Sequence, residues 1–160
     1  MKKHLPIFGI GPYFVSFMFL TTYLILKSTT IMQSIEFAHV GNYYFIYNFV
    51  GYFFIVVAIH LYYGALKTAK ITTNIKQNNL VTTGVYSRCR NPIYSAFLLA
   101  DTSIILFQNN YILLLLPLIY YGILTLLIIH TEEKWCIKQF GDAYIEYCKK
   151  VNRIIPSWIP

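Results

Sequence analysis

The sequence predicts an all-α integral membrane protein with about four transmembrane helices, a cytoplasmic loop and a C-terminal amphipathic helix. Composition is the first reason: 57% of the 160 residues are hydrophobic and only 12% are charged, whereas a soluble domain carries about 25% charged residues. The second reason is a series of apolar runs close to the roughly 20 residues that a bilayer core requires. The third is the placement of the basic residues, which fall on one side of a four-span arrangement.

Four apolar segments are the predicted spans: Phe8–Leu26, Gly41–Tyr63, Ile93–Phe107 and Tyr111–His130. The third segment is short and contains Asp101, so we expect it to pair with the fourth. No alanine precedes Ala38, so no A-x-A-like cleavage site follows the first apolar run. We therefore expect the first span to remain as an uncleaved anchor.

The basic residues predict the orientation of these spans. Apart from Lys27, they all lie before the first span, between the second and third, or after the fourth. Because cytoplasmic loops are enriched in Lys and Arg, this pattern places both termini and the middle loop in the cytoplasm, and Ser28–Val40 and Gln108–Asn110 outside. The net charge of +7 is then explained by the cytoplasmic loops of a membrane protein, and nucleic-acid binding is not expected. The compact size favours a bacterial or archaeal plasma membrane.

The chain is expected to be a single domain with two chemically different parts. Residues 1–64 form a membrane hairpin with few reactive groups, whereas residues 65–160 carry almost all the charges and polar motifs. The Lys67–Cys89 stretch is rich in Thr and Asn, which favours an irregular loop. Asn91 followed by Pro92 then predicts an N-cap and the first residue of the third span.

A helical pattern continues past the fourth span to Phe140, with Pro117 as the expected site of any kink. Gly141 is the predicted stop and Asp142 the predicted N-cap of the last helix. That helix, which ends before Pro156, has one apolar face with the i, i+3, i+4, i+7 spacing. The face consists of Tyr144, Tyr147, Cys148 and Val151.

The three cysteines, Cys89, Cys136 and Cys148, show neither C-x-x-C spacing nor a paired histidine motif. All three are placed on the reducing side of the membrane by the predicted orientation. The sequence therefore predicts ordinary reduced thiols and no metal site.

The predicted topology brings two polar segments together. Because the turn between the third and fourth spans is short, these spans should be antiparallel neighbours, with Arg88–Tyr94 close to Glu132 and Glu133. Helix N-terminal amides, arginines, carboxylates and tyrosines suit a small ligand of mixed charge, such as S-adenosylmethionine. The alternative gives each residue a structural role: a headgroup collar for the arginines, pairs with Lys134 and Lys138 for the glutamates, and an interfacial belt for the tyrosines.

Asp101 is a second place where chemistry is expected, since a carboxylate in a membrane span is costly and by default suggests function. It could bind an acceptor amine or act as a base, or it could simply bond to neighbouring hydroxyl groups. Asp101 and Arg90 are the candidate catalytic residues.

Two long stretches resemble motifs of the isoprenylcysteine carboxyl methyltransferase family. They are LVTTGVYSRCRNPIYSAF, from Leu80 to Phe97, and TEEKWCIKQFGDAYIEYCKKVNRIIP, from Thr131 to Pro156. Together they cover about half of the chain, and their order and separation match the family. The resemblance implies an integral membrane enzyme that transfers a methyl group from S-adenosylmethionine to a lipophilic acceptor at the cytoplasmic interface. A non-catalytic protein that keeps the fold and binds a lipid or a protein partner is the alternative.

The resemblance also implies which residues would contact the cofactor. They are Asn79, Leu80, Val81, Tyr86, Asn91, Pro92, Ile93, Tyr94, Glu132 and Glu133. Asn91 stands where the family usually has His. Ile128 stands where the prenylcysteine enzymes have an Arg that holds the substrate carboxylate, so a lipid amine, hydroxyl or thiol becomes as good an acceptor as prenylcysteine. Related enzymes of this architecture methylate phospholipid amines.

Overall fold

The computed structural model of the chain describes residues 9–69 and 79–157, and helices dominate both parts. The helices are α1 (Gly11–Lys27), α2 (Thr29–Ser34), α3 (Tyr44–Ala69), α4 (Pro92–Leu106), α5 (Leu115–His130), α6 (Glu132–Phe140) and α7 (Asp142–Lys150). Short 3₁₀ turns at Glu36–Ala38, Gly41–Tyr43, Gly84–Ser87 and Ile112–Leu114 join them. Within the described ranges, β-pairing is confined to the isolated bridges His39–Asn110 and Cys89–Asn152.

Two helical stretches are long and apolar enough to cross a membrane: Gly41–Thr68 and Ile112–Phe140. Only 22% of the most apolar window of each is buried inside the protein. A core helix of a soluble protein would be mostly buried, so these exposed apolar flanks are typical of helices that face lipid. The other two predicted spans are shorter, since α4 has 15 residues and α1 has 17; Phe8 lies outside the described residues.

Helix α4 packs most closely against α3, through small side chains. Gly51, Ala58 and Ala65 recur every seven residues on α3, and Ala96 of α4 packs into the same cluster as Ala58 and Ala65. A Cβ atom at Gly51 would lie 2.6 Å from the ring of Phe107 just after α4. Small residues allow the close helix approach that drives association in membranes. The sequence-based expectation that α4 pairs with α5 therefore missed its main neighbour.

The opposite face of α4 meets α1 and α5. Tyr94, Phe97 and Leu98 pack on a buried cluster formed by α1, α5 and the C-terminal tail. The members of that cluster are Phe14, Met18, Tyr120, Leu124, Ile128 and Ile154. Helix α4 thus lies between α3 on one side and α1 with α5 on the other.

The two connections at the far end of the helices bind each other. The amide of Val40 donates to Asn109 O at 3.0 Å, and the amide of Tyr111 donates to Ala38 O at 3.1 Å. The buried Asn110 side chain donates to Ile35 O at 2.7 Å. The loop after α1 and the turn after α4 therefore occupy the same end of the bundle, opposite the start of α4.

Three expected element boundaries were wrong. Helix α3 continues through Lys67 to Ala69, so the start of the predicted irregular loop is helical; residues 70–78 of that loop lie outside the described residues. The helix expected to run from the fourth span to Phe140 is interrupted at Thr131, with φ −120° and ψ −81°. Asp142 is the first residue of α7, and Gly141 is its cap.

Helix α7 packs against α6 and against the segment that precedes the 3₁₀ turn Gly84–Ser87. Tyr144, Tyr147 and Val151 are buried, and Leu80 and Cys136 lie against them. Residues of the predicted apolar face are therefore inside the protein, and Lys149 and Lys150 are exposed.

Candidate functional site

The start of α4 and the junction of α5 with α6 meet at one end of the bundle. The hydroxyl of Tyr94 donates to Glu132 Oε1 at 2.5 Å. The break at Thr131 starts a new helix at Glu132, so the carboxylate projects from the first turn of α6. The expected proximity of the Arg88–Tyr94 segment to the two glutamates is confirmed.

A third element reaches the same carboxylate, and the sequence reasoning missed it. The amide of Ile10, just before α1, donates to Glu132 Oε1 at 3.1 Å. Gly9 and Gly11 flank this amide and lie so close that a Cβ atom at either position would collide with Glu132 or Tyr94. The Gly-Ile-Gly-Pro stretch at positions 9–12 was a turn signal that could have drawn attention to this segment.

Glu133 faces a different set of partners from Glu132. Its Oε1 atom accepts from Nε of Arg153 at 2.8 Å and pairs with Arg90 NH2 at 3.0 Å, and its Oε2 atom accepts from Arg153 NH2 at 3.1 Å. The Glu133 and Arg90 side chains are only 11% and 7% exposed, so this is a largely buried cluster of two cations and one anion. The Nε atom of Arg90 is buried with no hydrogen-bond partner among the described residues. Glu133 therefore pairs with Arg90 and Arg153, and not with Lys134 or Lys138 as the structural alternative expected.

The C-terminal tail runs alongside the segment that precedes α4. The amides of Arg90 and Asn91 donate to Asn152 O at 2.9 Å and Arg153 O at 3.1 Å, and the amide of Ser157 donates to Arg88 O at 3.0 Å. Two sequence predictions are corrected by these bonds. The amide of Asn91, one of those expected to face a ligand, is bonded to the tail, and the Asn91 side chain does not cap α4 but donates to Arg153 O at 3.0 Å.

Cys89 is held in the middle of this pairing. Its sulfur lies 3.1 Å from Ser95 Oγ and donates to Ile154 O at 3.1 Å, and Ser95 Oγ also donates to Ile154 O. Burial raises the pKa of the Cys89 thiol because the thiolate would lose its hydration. Cys89, Cys136 and Cys148 are all free, and Cys89 serves as a small buried side chain that fixes the tail.

Tyr86 anchors the 3₁₀ turn on α7. The Tyr147 hydroxyl donates to Tyr86 O at 2.5 Å. Burial, with the nearby Cys89 thiol as the smaller cause, raises the pKa of Tyr86 to about 12. Tyr86 is therefore a neutral hydrogen-bonding group at all ordinary pH values.

The expected cofactor residues are not all on one surface. Tyr86 and Ile93 pack on the α3 side, Tyr94 on the α1 and α5 side, and Leu80 against α7. Pro92 is fully buried, Asn79 is exposed and Val81 is half-buried. The structure brings Tyr94 into direct contact with Glu132, and it brings Arg90 and Asn91 into contact with Glu133 and the tail.

Asp101 lies deeper, on α4 between α1 and α5. It is fully buried, and its Oδ2 atom accepts from Thr22 Oγ1 at 3.1 Å. Tyr120 OH lies 3.1 Å from the same Thr22 hydroxyl and 2.8 Å from that of Thr21. Asp101 Oδ1 has no partner among the described residues. Since Asp101 is seven residues beyond Tyr94, about 10 Å along the helix separates it from the Glu132 site.

The helices that carry this site match a known protein family. The profile of the phospholipid methyltransferase family matches residues 46–143, from α3 to the start of α7. The protein-S-isoprenylcysteine O-methyltransferase of Schizosaccharomyces pombe is 35% identical to the chain over 86 residues, which make up 53% of this chain and 34% of the yeast protein. The chain thus aligns with about a third of that relative. No solved structure matches the chain.

The matched region contains Tyr94, Arg90 and both glutamates of the site, Glu132 and Glu133, whereas Arg153 lies outside it. It covers more than half of the chain, and the two apolar stretches that could cross a membrane fall almost entirely within it. The chain therefore belongs to the phospholipid methyltransferase family.

Proposed function

We propose that the protein transfers a methyl group from S-adenosylmethionine to a lipophilic acceptor at the cytoplasmic face of a membrane. One observation carries the proposal: within the family-matched region, Tyr94 and Glu132 meet where α4 begins and α5 ends. That position places a carboxylate and a phenol at the end of two apolar helices. A polar cofactor and an apolar acceptor could both reach such a place.

The proposal includes a four-span topology with both termini in the cytoplasm. Helices α1 and α4 would cross the bilayer beside the two longer helices, with α7 at the membrane surface. Most described basic residues support this orientation because they lie at the Glu132 end, with Lys27 the exception. The residues 1–64 would then be the helical hairpin and residues 65–160 the cofactor-binding part of a single domain.

The residues at Glu132 fit the chemistry of the proposed cofactor. S-adenosylmethionine, when bound, supplies a methyl group on a positively charged sulfonium, together with an ammonium group, a carboxylate and a ribose diol. Glu132 is half-buried, and its bonds from the described residues all end on Oε1. Its Oε2 atom is thus the natural acceptor for an ammonium or a hydroxyl group.

The other expected cofactor residues have supporting roles in the proposal. Asn79, Leu80 and Val81 would form one wall, and Tyr86, Asn91, Pro92 and Ile93 would shape the side along the start of α4. Glu133 would border the site through Arg90 and Arg153. The contribution of these residues is orientation and exclusion of water, which lower the barrier to methyl transfer.

The acceptor is proposed to enter sideways from the bilayer. Ile128 is fully buried in the apolar cluster between α1 and α5, so no cation at that position would hold an acceptor carboxylate. This favours an amine, hydroxyl or thiol as the methylated group. Asp101 would act on the acceptor rather than on the cofactor because of its distance from Glu132, and Arg90 is the other candidate catalytic residue.

The proposal is tested by looking for a labelled methylated product. Protein purified in detergent is incubated with S-adenosylmethionine carrying a labelled methyl group and a total lipid extract, and the lipids are separated. We expect label in a lipid fraction, and its loss in Glu132→Gln. Calorimetry supplies the second measurement: a wild-type protein that binds no S-adenosylmethionine would falsify the proposal.

A non-catalytic role is the second candidate, and one observation favours it. The amide of Asn91, the N-cap residue of α4, is bonded to the C-terminal tail and is not available to a ligand. A protein of this kind would bind a lipid or a protein partner without turnover. Absence of both cofactor binding and labelled lipid in the experiment above would support it.

A further inference from the structure

The segment before α1 meets the Glu132 site from outside the family-matched region, which begins at residue 46. The Ile10 amide lies 3.1 Å from Glu132 Oε1. Gly9 has φ +48° and would place a Cβ atom 2.9 Å from Glu132 Cδ; Gly11 would place one 2.8 Å from the ring of Tyr94. The contact therefore depends on glycine at two positions for reasons of space.

The two glutamates show how Glu132 differs from a purely structural carboxylate. Both oxygens of Glu133 take bonds from arginine. In Glu132 the Ile10 amide and the Tyr94 hydroxyl converge on one oxygen, Oε1. Two donors on one oxygen fix the direction of the other oxygen without using it. Oε2 of Glu132 accepts no hydrogen bond from the described residues, so it can receive a ligand group.

Resting on the proposed function, we propose that the turn Gly9–Gly11 is a further wall of the cofactor site and holds Glu132 in the orientation that receives S-adenosylmethionine. Gly9 and Gly11 are positioning residues in this proposal, since they act through Glu132 and Tyr94. The Ile10 amide sets the position of Oε1. Because glycine has no side chain, Gly9 leaves room for the Glu132 carboxylate and Gly11 leaves room for the Tyr94 ring.

Substitution of Gly9 has a matched control in the same chain. Gly41 has φ +55° but no atom within 4 Å of the position of its Cβ atom, so Gly41→Ala introduces the same backbone strain without a collision. Calorimetric titration with S-adenosylmethionine should show binding about tenfold weaker in Gly9→Ala, because a charge-assisted hydrogen bond is disturbed. Binding by Gly41→Ala should stay within about twofold of wild type.

Gly11 has a control of its own. Gly122 lies within α5, and no atom lies within 4 Å of the position of its Cβ atom. Gly11→Ala should weaken cofactor binding by displacing Tyr94, whereas Gly122→Ala should leave binding unchanged. In steady-state assays with labelled methyl groups, Gly9→Ala and Gly11→Ala should raise the KM for S-adenosylmethionine more than they lower kcat, which a general loss of packing would not do.

A double-mutant cycle tests the contact without any cofactor. Gly9→Ala is introduced into the wild type and into Glu132→Ala, and the Tm of each unliganded protein is measured. The loss of Tm should shrink, in the Glu132→Ala background, to that caused by Gly41→Ala in the wild type. Equal losses in both backgrounds would overturn the claim that Gly9 positions Glu132.

The outcomes separate this inference from the proposed function. If the wild type binds S-adenosylmethionine and Gly9→Ala binds it equally well, the inference is wrong and the proposed function stands. If the wild type binds none, the proposed function fails, and the cofactor wall fails with it. Weakened binding in Gly9→Ala together with coupling in the cycle supports both.

Discussion

Glu133 and Arg153 are joined by two parallel hydrogen bonds, Nε to Oε1 at 2.8 Å and NH2 to Oε2 at 3.1 Å. The pair connects the first turn of α6 to the C-terminal tail, and the tail in turn pairs with the residues before α4. The hydrogen bond with Glu133, the larger cause, raises the pKa of Arg153, so the guanidinium stays charged at every accessible pH. This forked geometry gives Arg a specificity for carboxylates that Lys lacks.

Removal of the Glu133 carboxylate should be strongly destabilising. Glu133→Ala leaves Arg90, whose side chain is 7% exposed, without its anion. We expect a loss of about 3 kcal/mol in the free energy of unfolding, because a buried charge without its partner is costly. Glu146→Ala is the control, since Glu146 pairs with Lys149 while both side chains are more than half exposed; it should change stability by less than about 0.5 kcal/mol. Denaturant titration in detergent measures both, and similar losses would show that the cluster does not stabilise the fold.

Cys89 should react more slowly than Cys148. Its pKa is raised by burial, so at neutral pH less thiolate forms than for an ordinary cysteine, and labelling should increase only as the pH rises. Cys148, which is half-buried, is the comparison. Maleimide labelling followed by mass spectrometry should modify Cys148 well before Cys89 in the folded protein, and both at similar rates in denaturant. Rapid labelling of Cys89 in the folded state would mean that the tail leaves its position readily.

Two features of the sequence allowed part of the structure to be predicted: the lengths of the apolar runs and the short connection between α4 and α5. The apolar runs indicated the helices, and the short turn between α4 and α5 was enough to predict that Arg88–Tyr94 lies close to Glu132. These predictions work because hydrophobic length and short connections each restrict the possible arrangements to very few.

Contacts between distant segments were not accessible in this way. Nothing in the local sequence of Asn152–Ser157 indicates that it pairs with Arg88–Asn91, because main-chain hydrogen bonds carry no residue signature. The hydrogen bond from the Ile10 amide to Glu132 has no residue signature either, although the glycines on both sides of Ile10 do indicate a turn. The packing of α3 on α4 did leave a signal, the seven-residue repeat of Gly51, Ala58 and Ala65, which is the small-residue pattern of membrane helix contacts.

The Asn91 side chain should matter for stability more than for capping. Asn91→Ala removes the bond from Nδ2 to Arg153 O while the main-chain bond from Asn91 N to the same oxygen remains. We expect a loss of about 1 kcal/mol and faster proteolysis near the C-terminus. Asn152→Ala should have little effect, because Asn152 is exposed and its contact with Arg90 uses the carbonyl. If Asn91→Ala is as stable and as resistant to protease as the wild type, the side-chain bond contributes nothing.

Asp101 should be needed for turnover and not for folding or cofactor binding. Its carboxyl group is fully buried, and Oδ1 has no partner among the described residues. Asp101→Asn keeps an oxygen that can accept from Thr22 and removes a group that is costly to ionise in an apolar interior, so Tm should be unchanged or higher. Affinity for S-adenosylmethionine should match the wild type, since Asp101 lies about 10 Å from Tyr94 along α4.

The same variant should lower kcat for methylation of the lipid acceptor by at least about tenfold, the range expected for loss of one acid–base group. Tyr120→Phe is the matched control: it removes a hydroxyl from the same buried network, where Tyr120 OH lies 3.1 Å from Thr22 Oγ1, and leaves the carboxyl group in place. Tyr120→Phe should therefore reduce Tm and retain most of the turnover. If Asp101→Asn retains full activity, Asp101 is a structural residue that joins α4 to α1, and the acceptor must be bound elsewhere along the apolar face of α4.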